Sequence, residues 1–219
     1  MTTRQIALFG GSFDPIHFGH LWVAQHAIDL LEVDQVVFMP TATSPLKRSG
    51  PIASDSHRLT MLQLALSRVV NPNGERPMVI DAREICRGGI SYTVDTVEQI
   101  TKELDCSKLL MLLGSDCFSE IGKWHLPEKL LKLVTPVVYR RSGSPEIDWM
   151  ILDRFVTTQR VEEIRRSSIT IPMIELSSSE IRDRIFLGRS VRFMVPDEVL
   201  KFIENKSLYK ISVAEKSNI

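Results

Sequence analysis

The apolar residues of this 219-residue chain gather into two recurring shapes, short unbroken runs and longer stripes with helical spacing. Ile6-Ala-Leu-Phe9 is a run that ends on Gly10-Gly11, which reads as a buried strand entering a turn. Over residues 20–33, Leu21, Val23, Ala24, Ala27, Ile28 and Leu31 recur at the intervals of one helix face. Val36-Val-Phe-Met39 is a second strand, stopped by Pro40, and residues 41–56 are rich in Ser, Thr, Pro and Gly and read as loop. Residues 58–70 repeat the helical pattern through Leu59, Leu62, Leu66 and Val69. The same reasoning predicts strands over 77–81, 108–113, 134–139 and 169–176. It predicts helices over 93–104, 127–133, 178–186 (capped by serine) and 196–205. Gly88-Gly89 marks a turn, residues 147–166 are mixed and helical in part, and the polar tail from Ser212 is expected to fray.

Strands thus alternate with helices, and the strands are apolar throughout rather than alternating in and out. That combination predicts a parallel sheet covered on both faces, an α/β fold of the Rossmann-like, doubly wound kind. No repeat, low-complexity segment or linker interrupts it. The expectation is one domain over residues 1–219, with a core over about 4–190 and a small C-terminal helical part over about 191–210. Such sheets bind ligands beyond the C-terminal ends of their strands. The segments after Phe9, Met39, Leu113 and Leu176 are therefore where chemistry is to be sought.

Composition narrows the partners. The chain has 27 Lys+Arg and 27 Asp+Glu, a balance that argues against nucleic acid or an anionic membrane as partner. No apolar run approaches the roughly 18–20 residues of a membrane helix, and the N-terminal run is too short for a secretion signal. Cys86, Cys106 and Cys117 are odd in number and show no CxxC spacing. They read as reduced thiols of a cytoplasmic protein, with no zinc site and no disulfide framework. The oligomeric state, a homo-oligomer included, is left open.

The densest chemistry follows the first strand, in Gly10-Gly-Ser-Phe-Asp-Pro-Ile-His-Phe-Gly-His20. Gly10 and Gly11 let backbone approach a phosphate, and Gly19 lets the chain turn tightly between two imidazoles. The start of a helix adds N–H groups and a positive dipole end. His17 and His20 can then donate to phosphate oxygens and stabilise charge growing in a transition state. The segment is neither a Walker A loop nor the dinucleotide GxGxxG. A second candidate is Leu176-Ser-Ser-Ser-Glu-Ile-Arg182 at the start of a late helix. Its hydroxyls and N–H groups suit phosphates and Arg182 can clamp one bidentately, although Ser-x-x-Glu by itself is more often a capping box.

The first segment closely resembles the HxGH signature of the nucleotidyltransferase superfamily, and the second resembles its Ser-Ser/Thr-x-Ile-Arg signature. Three further stretches resemble the bacterial nicotinate mononucleotide adenylyltransferases: Gly88-Gly-Ile-Ser-Tyr-Thr-Val-Asp-Thr96, Gly114-Ser-Asp116 with Trp124-His125, and residues 188–196 with Leu208-Tyr209. The resemblance spans about residues 6–209. It implies transfer of the adenylyl group of ATP to nicotinate mononucleotide, giving deamido-NAD and pyrophosphate by in-line displacement without a covalent enzyme intermediate. It implies that His17, His20, Lys47 and Arg182 are catalytic. It implies that Gly10, Gly11, Ser12, Phe13, Gly19, Ser178 and Ser179 bind ATP. Lys47, Tyr92, Thr93, Asp116 and Trp124 would hold the mononucleotide, with Trp124 stacking on the pyridine ring and Thr93 beside the ring carboxylate. Mg²⁺ would arrive with ATP, since no dedicated carboxylate cage is visible.

One departure stands out. The family's Pro-Pro-His-Lys reads Ser44-Pro-Leu-Lys47 here, so Leu46 cannot donate the usual hydrogen bond and the adjacent Arg48 is the candidate substitute. This keeps two other readings in view: adenylyl or cytidylyl transfer to another phosphate, such as nicotinamide mononucleotide or phosphopantetheine, and a non-catalytic nucleotide-binding regulator. Tyr139-Arg-Arg141 reads as solvated surface, His26 as helix surface and His57 as loop.

Overall fold

The computed structural model describes residues 4–45, 50–103, 108–141, 146–172 and 174–210. Six strands form one parallel sheet: β1 (Gln5–Gly11), β2 (Gln35–Pro40), β3 (Met78–Ile80), β4 (Lys108–Gly114), β5 (Thr135–Arg141) and β6 (Ile169–Ile171), in the order β3-β2-β1-β4-β5-β6. The chain builds outward from β1 to β3, then returns to pair β4 with the other side of β1. That reversal makes the carboxyl ends of β1 and β4 the switch point of the sheet.

Nine helices flank it: α1 (Phe18–Leu31), α2 (Asp55–Leu66), α3 (Arg83–Arg87), α4 (Thr93–Glu103), α5 (Ser115–Ser119), α6 (Pro127–Leu133), α7 (Thr158–Ser167), α8 (Ser178–Phe186) and α9 (Asp197–Asn205) among the described residues. Apolar strands are required because both faces are covered. Ala7 and Phe9 of β1 enter a core with Ala24 of α1, Leu62 of α2, Ile181 of α8 and Val199 of α9. Ile6 and Leu8, one residue out of step, enter a second core with Val97 of α4, Leu130 of α6 and Ile164 of α7. The C-terminal α9 lies against α2, where Phe202 meets His57 edge to face at 5.7 Å and Glu198 pairs with Arg68 at 3.2 Å. No helix among the described residues is long and apolar enough to cross a membrane.

The doubly wound parallel sheet agrees with the pattern of the sequence, and several boundaries differ. β6 ends at Ile171 rather than at Leu176, because Pro172 has no N–H to continue a ladder. α1 starts at Phe18, with His17 at its N-cap. α2 starts at Asp55 behind the Ser54 cap, whose Oγ accepts from the His57 N–H, so His57 is helical rather than in a loop. The short helices α3 and α5 were not expected. The mixed stretch 147–166 resolves into a 3₁₀ turn (Trp149–Leu152) and α7. The readings that concern Leu46, Lys47, Arg48, Cys106 and the tail from Ser212 fall outside the described residues.

Candidate active site

A cleft of about 790 Å³ opens beyond the ends of β1 and β4, at the switch point and within the size range of small-ligand sites. One end of it is built by the segment between β1 and α1. The Gly11 carbonyl accepts from Thr41 N at 2.9 Å and ties the end of β1 to the end of β2. Ser12 offers its carbonyl to Arg58 Nη1 at 2.6 Å, and Arg58 is fully buried with its Nη2 on Asp55 Oδ1 at 2.6 Å. Phe13 takes a left-handed backbone (φ 47°) that turns its ring into the core between Phe9, Phe38 and His20. Phe13 is 1% exposed, so a contact to a ligand in the cleft is open to its backbone and not to its ring.

His17 and His20 stack at 3.8 Å with 29° between their planes. The His17 N–H donates to His20 Nδ1 at 3.3 Å, so that nitrogen is unprotonated and the proton of the neutral ring sits on Nε2. Gly19 explains how the pair fits. A Cβ built there would lie 2.9 Å from His17 Nδ1 and 3.4 Å from Leu176 Cβ, closer than a methyl group tolerates at the ring. At Gly10 a Cβ would meet nothing within 4 Å, so the space over it is open to the cleft.

The start of α8 closes this end. Ser177 caps the helix by accepting from Glu180 N at 3.1 Å. Ser178 Oγ donates to the Pro15 carbonyl at 2.9 Å, and Arg182 Nη1 donates to the Asp14 carbonyl at 2.6 Å while Nη2 reaches Ser179 Oγ at 3.1 Å. The two segments singled out in the sequence, more than 150 residues apart, are therefore stitched together. Gly10, Gly11, Ser12, Gly19, His17 and His20 line the cleft on one side, and Ser178, Ser179 and Arg182 face them.

The other end is aromatic. Tyr92, Thr93, Asp116 and Trp124 line it, and the Tyr92 ring leans on His125 at 4.5 Å. Trp124 is half-buried, and its Nε1 is buried with no hydrogen-bond partner among the described residues. Thr93 opens α4, whose N-terminus presents backbone N–H groups and a positive dipole end. Asp116 lies in the first turn of α5 rather than at its cap, which is Gly114. A side chain at Gly114 would collide with Asp116 Oδ1, so glycine is needed for that carboxylate to fold back over the strand end. Lys47, expected to contact the reacting phosphates, lies outside the described residues.

Three groups here were not anticipated. Glu84 of α3 lines the cleft although it is buried, with Oε1 accepting from Thr96 Oγ1 at 2.9 Å and a further bond to Ser91. Burial pushes its carboxyl above the usual range, against those bonds and the nearby Arg87. Arg58 and Asp14 are the other two. Asp14 is buried and accepts from Ile52 N at 2.7 Å, Ala53 N at 3.1 Å and Tyr209 Oη at 2.6 Å. Asp14 sits inside the first motif, where no role is assigned to it; nothing in the sequence flags Glu84 or Arg58. Among the described residues, no group of three His, Cys, Asp or Glu is placed to hold a metal ion.

Comparison with known proteins identifies the family. A family model described as cytidylyltransferase-like matches residues 8–184. A probable nicotinate-nucleotide adenylyltransferase of Rhodopirellula baltica is 42% identical over 206 residues, 94% of each chain. One from Gemmatimonas aurantiaca is 36% identical, over 94% of this chain and 92% of that one. Among solved structures, a Plasmodium falciparum nicotinic acid mononucleotide adenylyltransferase complexed with NaAD superposes with a TM-score of 0.72, covering 94% of this chain and 97% of that one at 20% identity. The last likeness shows the shared fold, and the first three show that the chain belongs to the nicotinate-nucleotide adenylyltransferase family of cytidylyltransferase-like enzymes.

Proposed function

We propose that this enzyme joins ATP and nicotinate mononucleotide into deamido-NAD with release of pyrophosphate, a step of NAD biosynthesis. The observation that carries the reading is the two-ended cleft. Stacked imidazoles and the start of α8 converge at one end, and an indole beside a helix N-terminus lies at the other.

The mononucleotide phosphate is already ionised and nucleophilic, so it needs orientation more than a general base. Its oxygen attacks the α-phosphorus of ATP, the bond from that phosphorus to the bridging oxygen breaks, and pyrophosphate carries the electron pair away. Catalysis is then positioning and charge neutralisation. His20, with its proton on Nε2, donates to an α/β-phosphate oxygen, and His17 beside it stabilises the developing charge. Arg182 commits one nitrogen to Asp14 and another to Ser179, which leaves further N–H donors of its five for the β- and γ-phosphates. Ser178 and Ser179 contribute with the N-terminus of α8, and Gly10, Gly11, Ser12 and Gly19 supply backbone. Lys47 contacts the reacting phosphates. Mg²⁺ would come bound to ATP and would offset triphosphate charge; Asp14, Glu84 and Asp116 line the cleft, yet among the described residues no three such groups are gathered to hold an ion by themselves. Trp124 stacks on the electron-poor pyridine ring, and the N-terminus of α4 with Tyr92 and Thr93 receives its carboxylate. Asp116 binds a ribose hydroxyl. A cytoplasmic location belongs to the proposal, in keeping with the exposed thiol of Cys86.

The test is pyrophosphate release with ATP and, in turn, nicotinate mononucleotide, nicotinamide mononucleotide and phosphopantetheine. The expected result is turnover with the first well above the other two. Preference for either of the others would replace the reading, and turnover with none would favour a regulatory nucleotide-binding protein.

A further inference from the structure

Asp14 is a buried carboxylate that touches three parts of the chain at once. Its Oδ2 accepts from Ile52 N and its Oδ1 from Ala53 N, which fixes the backbone that leads into α2. Its Oδ1 also accepts from Tyr209 Oη at 2.6 Å, from the far end of the chain. Its main-chain carbonyl accepts from Arg182 Nη1 at 2.6 Å, and Oδ2 lies 3.8 Å from that same nitrogen. Tyr209 is shaped for this contact. Ser207 and Tyr209 both adopt left-handed backbone (φ 51° and 63°), unusual for non-glycine residues, and the Tyr209 ring packs on the α1–α2–α8–α9 core. Burial and the adjacent Asp14 hold the phenol far above its ordinary pKa, so it remains a donor.

We propose that Asp14 and Tyr209 are positioning residues for the triphosphate site: the phenol that follows α9 locks the Asp14 carboxylate, and Asp14 sets Arg182 and the backbone at Ile52 and Ala53 in one arrangement. The proposal rests on the assignment of Arg182 to the β- and γ-phosphates. Neither residue needs to touch the nucleotide. Without the Tyr209 bond, Asp14 loses one of its fixed donors. The Asp14 carbonyl that orients the guanidinium then moves more freely, and the loss falls on ligands that use that guanidinium.

The experiment measures ATP and AMP affinity by calorimetry, without acceptor, for the full chain, Tyr209→Phe, Arg182→Ala and the double variant, with thermal unfolding of each. Tyr209→Phe is expected to weaken ATP about fivefold, on the scale of the net contribution of one hydrogen bond, and to change AMP by less than about twofold. In the Arg182→Ala background the same change is expected to move ATP affinity by less than about twofold, the non-additivity of residues that act through one another. Asp14→Asn, which turns an amide NH₂ toward existing donors, is a second route to the same ATP-selective loss if Tyr209→Phe proves too unstable to assay. Equal weakening of ATP and AMP, additive losses in the double variant, or unchanged ATP affinity would each overturn the proposal. A wild type that binds ATP no more tightly than AMP would overturn the α8 assignment and this proposal with it. Retained ATP selectivity without turnover on the mononucleotide would overturn only the acceptor.

Discussion

Replacing Gly19 with alanine separates the two things a residue in α1 can do. At most helix positions the change from glycine stabilises, by about 1 kcal/mol, because alanine has less backbone freedom to lose. Here the new methyl would sit 2.9 Å from His17 Nδ1 and 3.0 Å from its Cε1. Relieving that contact means moving the ring by roughly 0.5 Å, at the edge of the tolerance of a preorganised site. The ring has little room to move. His17 is 5% exposed, His20 stacks on it at 3.8 Å, and Phe13 backs His20 at 5.0 Å. Strain in a close-packed site of this kind costs about 1–3 kcal/mol, so the helix-propensity gain offsets part of the clash and leaves a net loss of at most about 2 kcal/mol. Catalysis has no such compensation, because a donor pair displaced by this much loses roughly 10- to 100-fold in rate. The expected outcome for Gly19→Ala is a melting temperature within a few degrees of wild type and a kcat for pyrophosphate release down by that factor. A kcat within about twofold of wild type would show that the imidazole pair is not held to the geometry claimed for it.

Three further outcomes are expected. His20→Ala should cut kcat by about 10²-fold or more with folding retained, the scale for a removed transition-state donor, and unchanged turnover would remove His20 from the phosphate site. Trp124→Ala should raise the KM for the mononucleotide more than the KM for ATP; if neither moves, the indole serves packing alone. Glu84 binds its proton more tightly folded than unfolded, since burial raises its pKa, so its contribution to stability is present at low pH and lost as pH rises through the raised value. Urea unfolding of wild type and Glu84→Gln across the acidic range should therefore show the difference, wild type minus variant, falling as pH rises; a difference that grows with pH would mean that the hydrogen bonds outweigh burial.

What was legible in the sequence was what is local. Gly10 to His20 carries its turn, its imidazoles and its helix start within eleven residues, and Ser177 to Arg182 carries cap and cation within one turn and a half, so both halves of the phosphate end could be named before their meeting was seen. The unbroken apolar runs of β1, β2 and β4 follow from burial on both faces. The misread parts have equally physical causes. The run 169–176 is apolar enough for a long strand, and only the missing N–H of Pro172 cuts it short. α3 and α5, five residues each, are too short to show a helical period. The first turn of α2 is polar, so periodicity does not reach Asp55 to His57, and it could not reveal that Arg58 would be the largest fully buried side chain among the described residues. The assignment of Phe13 to ATP is of another kind: its positive φ sends the ring into the core and leaves only its backbone for contact in the cleft. Asp14 and Tyr209 are 195 residues apart, and no local pattern links them.

The account turns on direct transfer between two substrates held in one cleft. That claim is tested by the stereochemical course of the reaction of nicotinate mononucleotide with ATP carrying a chiral thiophosphate at the α-position. The account predicts deamido-NAD product with inverted configuration at phosphorus, from a single in-line displacement; retention of configuration, or no dinucleotide product, would contradict it.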